Sequence, residues 1–186
     1  MKEEPCNDND EAGFPAHAKA EIARKLEALA VPRLKVEYTE ENFKRLFGEW
    51  NRVETPIGRV TVPRSQFIKL KDRNREGWLG AVYQTITDPI LIVRETIDKN
   101  LYVKTFAPEK KGVIVFLSVV IEQGSSRVNI SNHEKGIKNI LNKIKKADDL
   151  AYQKASDTGF DSLTALKTMR GVLPAGGNYG GSPPSH

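Results

Sequence analysis

A chain of 186 residues, 39% of them hydrophobic, holds enough apolar material for one core domain and little to spare for its ends. Its single cysteine, Cys6, rules out an intrachain disulfide, and no apolar run approaches the roughly 20 residues of a membrane helix. A net charge of +5 favours polyanionic partners such as RNA, and the acidic, polar residues 1–11 lack the apolar segment of a secretory signal, so a cytoplasmic protein with no membrane partner is expected.

Residues 1–14 are polar and contain Pro, Gly and Asn, which predicts disorder. The stripe Ile22, Leu26 and Leu29 predicts a helix over 16–30, closed by Pro32. A second helix is predicted from the N-cap Thr39 to Phe47; Asn42 stands where a capping-box Glu would be, and Gly48 supplies the stop. Residues 53–62 read as a hairpin around Pro56-Ile57-Gly58, and 65–71 and 75–86 as helices.

After Asp88-Pro89 the pattern changes. Residues 89–96, 101–106, 113–122 and 127–132 predict four strands, whose short polar connections suit antiparallel hairpins and leave no room for crossover helices. The run Val113-Ile114-Val115-Phe116-Leu117 is apolar on both faces, as a central strand is. A helix over 135–147 follows, with Ile137, Ile140, Leu141 and Ile144 on one stripe. The fold expected is α+β: N-terminal helices, then a four-stranded antiparallel sheet meander, then a C-terminal helix. The helices gather on one sheet face and leave the other open. Three regions follow: 1–38, a flexible N-terminus with one helix; 39–155, the α+β domain; and 156–186, a flexible Gly- and Pro-rich tail.

Strand alternation places Val128 and Ile130 toward the core and Arg127, Asn129, Ser131 and His133 on the other face. Tyr102, Lys104 and Phe106 share a face of the second strand, and Arg94 lies on the first. Arg, Lys, His and Tyr on an open sheet face suit a phosphodiester: cations for the phosphate, an imidazole for proton transfer, an aromatic ring for stacking on a base. The plainer reading of each residue stands beside this. A histidine after an edge strand is more often a surface residue or a cap, Arg94 and Lys104 serve equally as solvated strand residues, and Trp50 and Trp78 suit the core better than a stacking platform.

One cysteine and three scattered histidines cannot build a structural zinc site. There is no GxxxxGK[ST] loop, no GxGxxG after a strand, no Ser-x-Gly elbow and no carboxylate cluster of the kind a magnesium nuclease uses, so no metal or cofactor is expected.

The succession Thr55-Pro56-Ile57-Gly58-Arg59-Val60, Leu79-Gly80, Thr87-Asp88-Pro89-Ile90-Leu91-Ile92, Leu101-Tyr102-Val103-Lys104, Ser118-Val119-Val120, Ile130-Ser131-Asn132-His133 and Ile140-Leu141-Asn142-Lys143-Ile144 resembles the phage-encoded nuclease-like families grouped with barnase, EndoU, the tRNA-cleaving colicins and RelE. It spans roughly residues 43–152. The resemblance implies a metal-independent endoribonuclease, a toxin or effector-like module of phage or mobile-element origin, with RNA as partner and an immunity or antitoxin protein as a second. His133 would act as general acid or base, Arg94 and Lys104 would hold the phosphate, and Tyr102, Ser131 and Arg127 would position the substrate. Glu95 and Glu122 are the candidates for the second proton-transfer group, with Glu122 placed in the catalytic set. Before the histidine these families often carry a small hydroxyl residue, where this chain has Asn132. That departure keeps open two alternatives of the same fold: a non-catalytic RNA-binding module and a structural or accessory phage protein.

Overall fold

In a computed structural model, residues 16–108, 112–147 and 149–154 are described. Local signals set several element ends. The Thr39 hydroxyl accepts a hydrogen bond from the Asn42 amide at 3.1 Å and so caps α2 (Glu40–Phe47), which Gly48 ends in a positive-φ conformation. Upstream lies α1 (Ala16–Ala28). After α2 come the hairpin β1 (Arg52–Thr55) and β2 (Gly58–Thr61), helix α3 (Arg64–Asp72), a 3₁₀ turn (Glu76–Trp78) and α4 (Leu79–Thr87). The meander is β3 (Leu91–Thr96), β4 (Lys99–Phe106), β5 (Ile114–Gln123) and β6 (Ser126–Lys135); α5 (Ile137–Lys146) and β7 (Asp149–Gln153) close the described chain.

The α+β class and the antiparallel pairing of β3, β4, β5 and β6 agree with the sequence reading. The four-stranded sheet does not: the sheet is curled and has seven strands in the order β1-β2-β6-β5-β4-β3-β7. The hairpin joins one edge through a single parallel contact, Thr61 opposite Val128, and β7 joins the other edge antiparallel to β3. The segment Asp149-Leu150-Ala151-Tyr152-Gln153 is short and only half apolar. It is a strand because β3 offers it a free edge, with Leu150 packing on one layer and Ala151 and Tyr152 on the other.

Both faces are covered, which corrects the expectation of an open face. On one side, Ile22 and Leu26 of α1 and Ile140, Leu141 and Ile144 of α5 pack on Leu91, Val93, Leu101, Val103, Val115, Leu117 and Val119. Each of these buried side chains contributes roughly 1.5–3 kcal/mol. Ile22 and Leu26 are fully buried, so α1 belongs to the core and is no appendage to it. On the other side, α2, α3, α4 and the hairpin enclose Ile92, Tyr102, Phe106, Phe116 and Val120, with Trp78 stacked on Phe116 at 5.1 Å between ring centres. A strand such as β5 therefore carries apolar residues on both faces because helices lie on both. The predicted disorder of residues 1–14 and the tail from residue 156 lie outside the described residues.

Candidate functional site

β6 is not a regular strand. Ser131 pairs with Val119 and Asn129 with Val120, so Ile130 has no partner on β5 and forms a bulge. A bulge reverses the alternation that the sequence implies. Arg127, opposite Glu122, and Asn129, opposite Val120, face the α2–α4 layer; Ser131, opposite Val119, and His133, opposite Leu117, face the α1–α5 layer. The expected row of four is thus split into two pairs. Ser131 and His133 remain together, with Ser131 Oγ 3.0 Å from His133 Nδ1.

The outer edge of this half of β6 is taken up by side chains from α3 and the turn after it. Gln66 Nε2 donates to the Ile130 carbonyl at 3.0 Å, Lys69 Nζ to the same carbonyl at 3.4 Å, and Arg75 Nη1 to the Asn132 carbonyl at 3.0 Å. Between α3 and β6 lies a small cavity of about 40 Å³, lined by Lys69, Arg73, Arg75, Ser131, Asn132 and Gln66. Among the described residues, none of Lys69, Arg73 and Arg75 is ion-paired to a carboxylate. Three cations around one cavity, none ion-paired among the described residues, make a site for an anion. It is small and polar, and it suits a compact anion such as one phosphate.

His133 is reached through Ser131. Its burial, and then the charges of Lys135, Arg75, Lys143 and Arg73, push its pKa down to about 4. It is an uncharged imidazole at neutral pH, with a free lone pair but a weaker base than an ordinary histidine.

The remaining expected residues lie elsewhere. Lys104 is 2% exposed and on the opposite sheet face; its ammonium donates to the Asp88 carbonyl at 2.5 Å and to Asp88 Oδ2 at 3.0 Å, under the end of α4. Arg94 sits opposite Asn100, four residues along β4 from Lys104 or roughly 14 Å, and pairs with Asp149 at 3.8 Å. Arg94, Lys104 and His133 therefore do not converge. Tyr102 is fully buried, its hydroxyl 3.0 Å from Thr55 Oγ1; burial raises its pKa, and no substrate reaches its ring. Glu122 accepts from Arg127 Nε at 3.0 Å, and the Arg127 guanidinium lies over Gly58, whose φ of 118° favours a glycine. Glu122 is five residues along β5 from Leu117, the partner of His133, and points to the other face. Glu95 is engaged by Lys99 at 3.2 Å and Lys143 at 3.4 Å. Both proposed second proton-transfer groups are thus held in ion pairs, and Glu122 lies on the other sheet face from His133. The structure corrects the assembly of the site, and of the residues expected there only Ser131 and His133 stand at the cavity or beside it.

Lys69, Arg73, Arg75 and Gln66 were not read from the sequence as site residues. The signal was present in the run Lys69-Leu70-Lys71-Asp72-Arg73-Asn74-Arg75, where basic residues alternate through a helix end. Only the docking of α3 against β6 brings that run to His133. Among the described residues no three of His, Cys, Asp and Glu lie together as metal ligands, and no helix is long and apolar enough to cross a membrane. No family model matches the chain, and neither a curated protein nor a solved structure matches it.

Proposed function

We propose that this protein binds the phosphodiester backbone of RNA in the cleft between α3 and β6, with His133 as the proton acceptor of a metal-independent cleavage. The observation that carries the reading is one cavity in which Lys69, Arg73 and Arg75, none of them ion-paired among the described residues, meet Ser131, itself hydrogen-bonded to the uncharged His133. The cations hold a phosphate and stabilise charge that develops on its oxygens. When His133 Nδ1 bears the proton and donates to Ser131 Oγ, Nε2 is left with a lone pair. That nitrogen takes the proton from a ribose 2′-hydroxyl, whose oxygen attacks the adjacent phosphorus as the bond to the 5′ oxygen breaks; a proton from solvent completes the leaving alcohol. The products are a 2′,3′-cyclic phosphate and a free 5′-hydroxyl. A cavity lined by cations suited to a phosphate predicts contact with the backbone and little sequence preference.

A second reading, RNA binding without cleavage, is favoured by one observation: Glu95 and Glu122, the two carboxylates expected to serve the leaving group, are both committed to ion pairs. A fluorescent single-stranded RNA incubated with the protein in EDTA separates the two. Cleavage to a cyclic phosphate supports the first, retention of intact RNA the second, and neither binding nor cleavage sinks both.

A further inference from the structure

Asn132 falls between the two residues of the Ser131–His133 pair, yet it is buried, and so are Asn129 and Gln66. Asn132 Nδ2 donates to Asn129 Oδ1 at 2.7 Å and to Gln66 Oε1 at 3.2 Å, and Asn132 Oδ1 accepts from Asn129 Nδ2 at 3.2 Å. Asn129 Nδ2 also lies 3.0 Å from the Val119 carbonyl and 3.2 Å from that of Ser131. Gln66 Nε2 holds the carbonyl of the bulged Ile130, and Arg75 holds that of Asn132. Three buried amides thus satisfy one another and grip the Ile130 and Ser131 carbonyls, while Arg75 holds the next one, that of Asn132.

This matters because β6 has two ways to pair. In a regular strand, residues 127, 129, 131 and 133 share one face, and Ser131 and His133 would turn toward the α2–α4 layer. The bulge at Ile130 sends them to the other side. A bulged strand leaves backbone groups without ladder partners, and buried groups of this kind are costly unless bonded. The amides supply those bonds only in the bulged register.

We infer that Asn132, acting with Asn129 and Gln66, is the positioning residue of the β6-edge site: it locks the Ile130 bulge, which aims Ser131 and His133, and its carbonyl holds Arg75 at the cavity. Its importance for RNA rests on the proposed function above, while its effect on His133 does not, and the two are measured separately.

The test follows the His133 imidazole by NMR through a pH titration and through a titration with inorganic phosphate, in the full-length protein and in Asn132→Ala, Asn129→Ala and the double variant. In Asn132→Ala the His133 midpoint is expected to rise from about 4 toward the ordinary 6.5, as the strand relaxes and the ring meets water. The apparent phosphate affinity is expected to fall by roughly tenfold, because the Asn132 carbonyl that Arg75 bonds stays in the chain but shifts with the relaxing strand. The double variant should be no worse than either single one, since the amides act as one unit. A His133 midpoint and phosphate response unchanged in a folded Asn132→Ala overturn the inference. If Asn132→Ala does not fold, Gln66→Leu, which removes the outermost amide, is read the same way, and an unmoved midpoint there overturns it equally. Absence of any phosphate response in the unsubstituted protein counts against the phosphodiester reading and leaves the His133 midpoint to decide the role of Asn132.

Discussion

Lys104 and His133 stand on opposite faces of one sheet: His133 lies opposite Leu117, Leu117 opposite Val103, and Lys104, the next residue on β4, turns the other way. Lys104 is therefore a structural cation. Its burial lowers its pKa, and the two bonds to Asp88 offset part of that effect. Burial also tends to raise the Asp88 carboxyl, but hydrogen bonds from Lys154 and Lys104 outweigh it and hold the pKa below the ordinary value. Because Asp88 is half exposed, solvent screens this cluster in part.

Asp88→Asn should accordingly cost stability and spare the site. Urea unfolding is expected to show a loss of about 2 kcal/mol, since a buried ammonium loses its carboxylate. RNA affinity measured on the same variant should be unchanged. A large loss of affinity in a stable Asp88→Asn protein would return Lys104 to the functional site.

The pKa of His133, about 4 when folded and 6.5 when free, gives a stability prediction with a definite sign. Between these values the unfolded chain binds more protons than the folded one, so stability rises with pH across that window. The penalty from His133 is absent above about pH 6.5 and complete below about pH 4. It should reach on the order of 3 kcal/mol. His133→Gln should flatten this part of the profile, and equal acid sensitivity in the two proteins between pH 4 and 6.5 would show that His133 is not the group responsible.

How much of this was legible in the sequence depended on whether a local pattern decided the outcome. The Thr39 cap, the Gly48 stop and the stripe of Ile140, Leu141 and Ile144 are each settled within a few residues, and the structure has them where the pattern puts them. The meander was legible because three short connections leave its strands little choice but antiparallel neighbours. The site was not, and one residue is the reason. The alternation over 127–133 is correct on each side of Ile130 and wrong across it, and the groups that stabilise the bulge include Gln66, more than 60 residues away in the chain. The seventh strand escaped for a similar reason, since Leu150 and Tyr152 become strand residues only beside the edge of β3.

Gly80, in α4, lies against the segment joining α1 to α2. A Cβ there would collide with the Leu34 carbonyl oxygen and stand 2.9 Å from its carbon, both backbone atoms. That segment cannot simply lift away: the Gln84 side chain accepts from the Leu34 amide at 2.8 Å and donates to the Pro32 carbonyl at 3.1 Å, and the Arg33 guanidinium sits 4.3 Å over the Trp78 ring. Alanine is the better helix former by about 1 kcal/mol, yet Gly80→Ala is expected to destabilise by about 2 kcal/mol, because overpacking against fixed backbone outweighs propensity. Thermal and urea unfolding measure the balance, and a stabilised Gly80→Ala would mean that residues 30–38 do not pack as described.

The basic cleft makes the sharpest prediction about function. If Lys69 and Arg73 each contact a phosphate of a single strand, removing either should reduce the slope of log K against log salt by about 0.7 and leave any sequence preference unchanged. The double variant Lys69→Ala, Arg73→Ala should lose both increments and still fold, since both side chains are exposed and neither is ion-paired among the described residues. Arg94→Ala should leave the slope as it was, because Arg94 lies on β3 beside Asp149. Cleavage separates binding from chemistry. RNA should be cut in EDTA while DNA of the same sequence survives for want of the attacking 2′-hydroxyl. His133→Ala should lower the cleavage rate by roughly 10²–10⁴-fold, and because His133 is uncharged at neutral pH it should change affinity little. Ser131→Ala, which removes the partner of Nδ1 and keeps the imidazole, should cost less than His133→Ala. An RNA affinity with the same salt slope in Lys69→Ala, Arg73→Ala as in the unsubstituted protein would place RNA binding elsewhere on the molecule, whatever the fate of the cleavage assay.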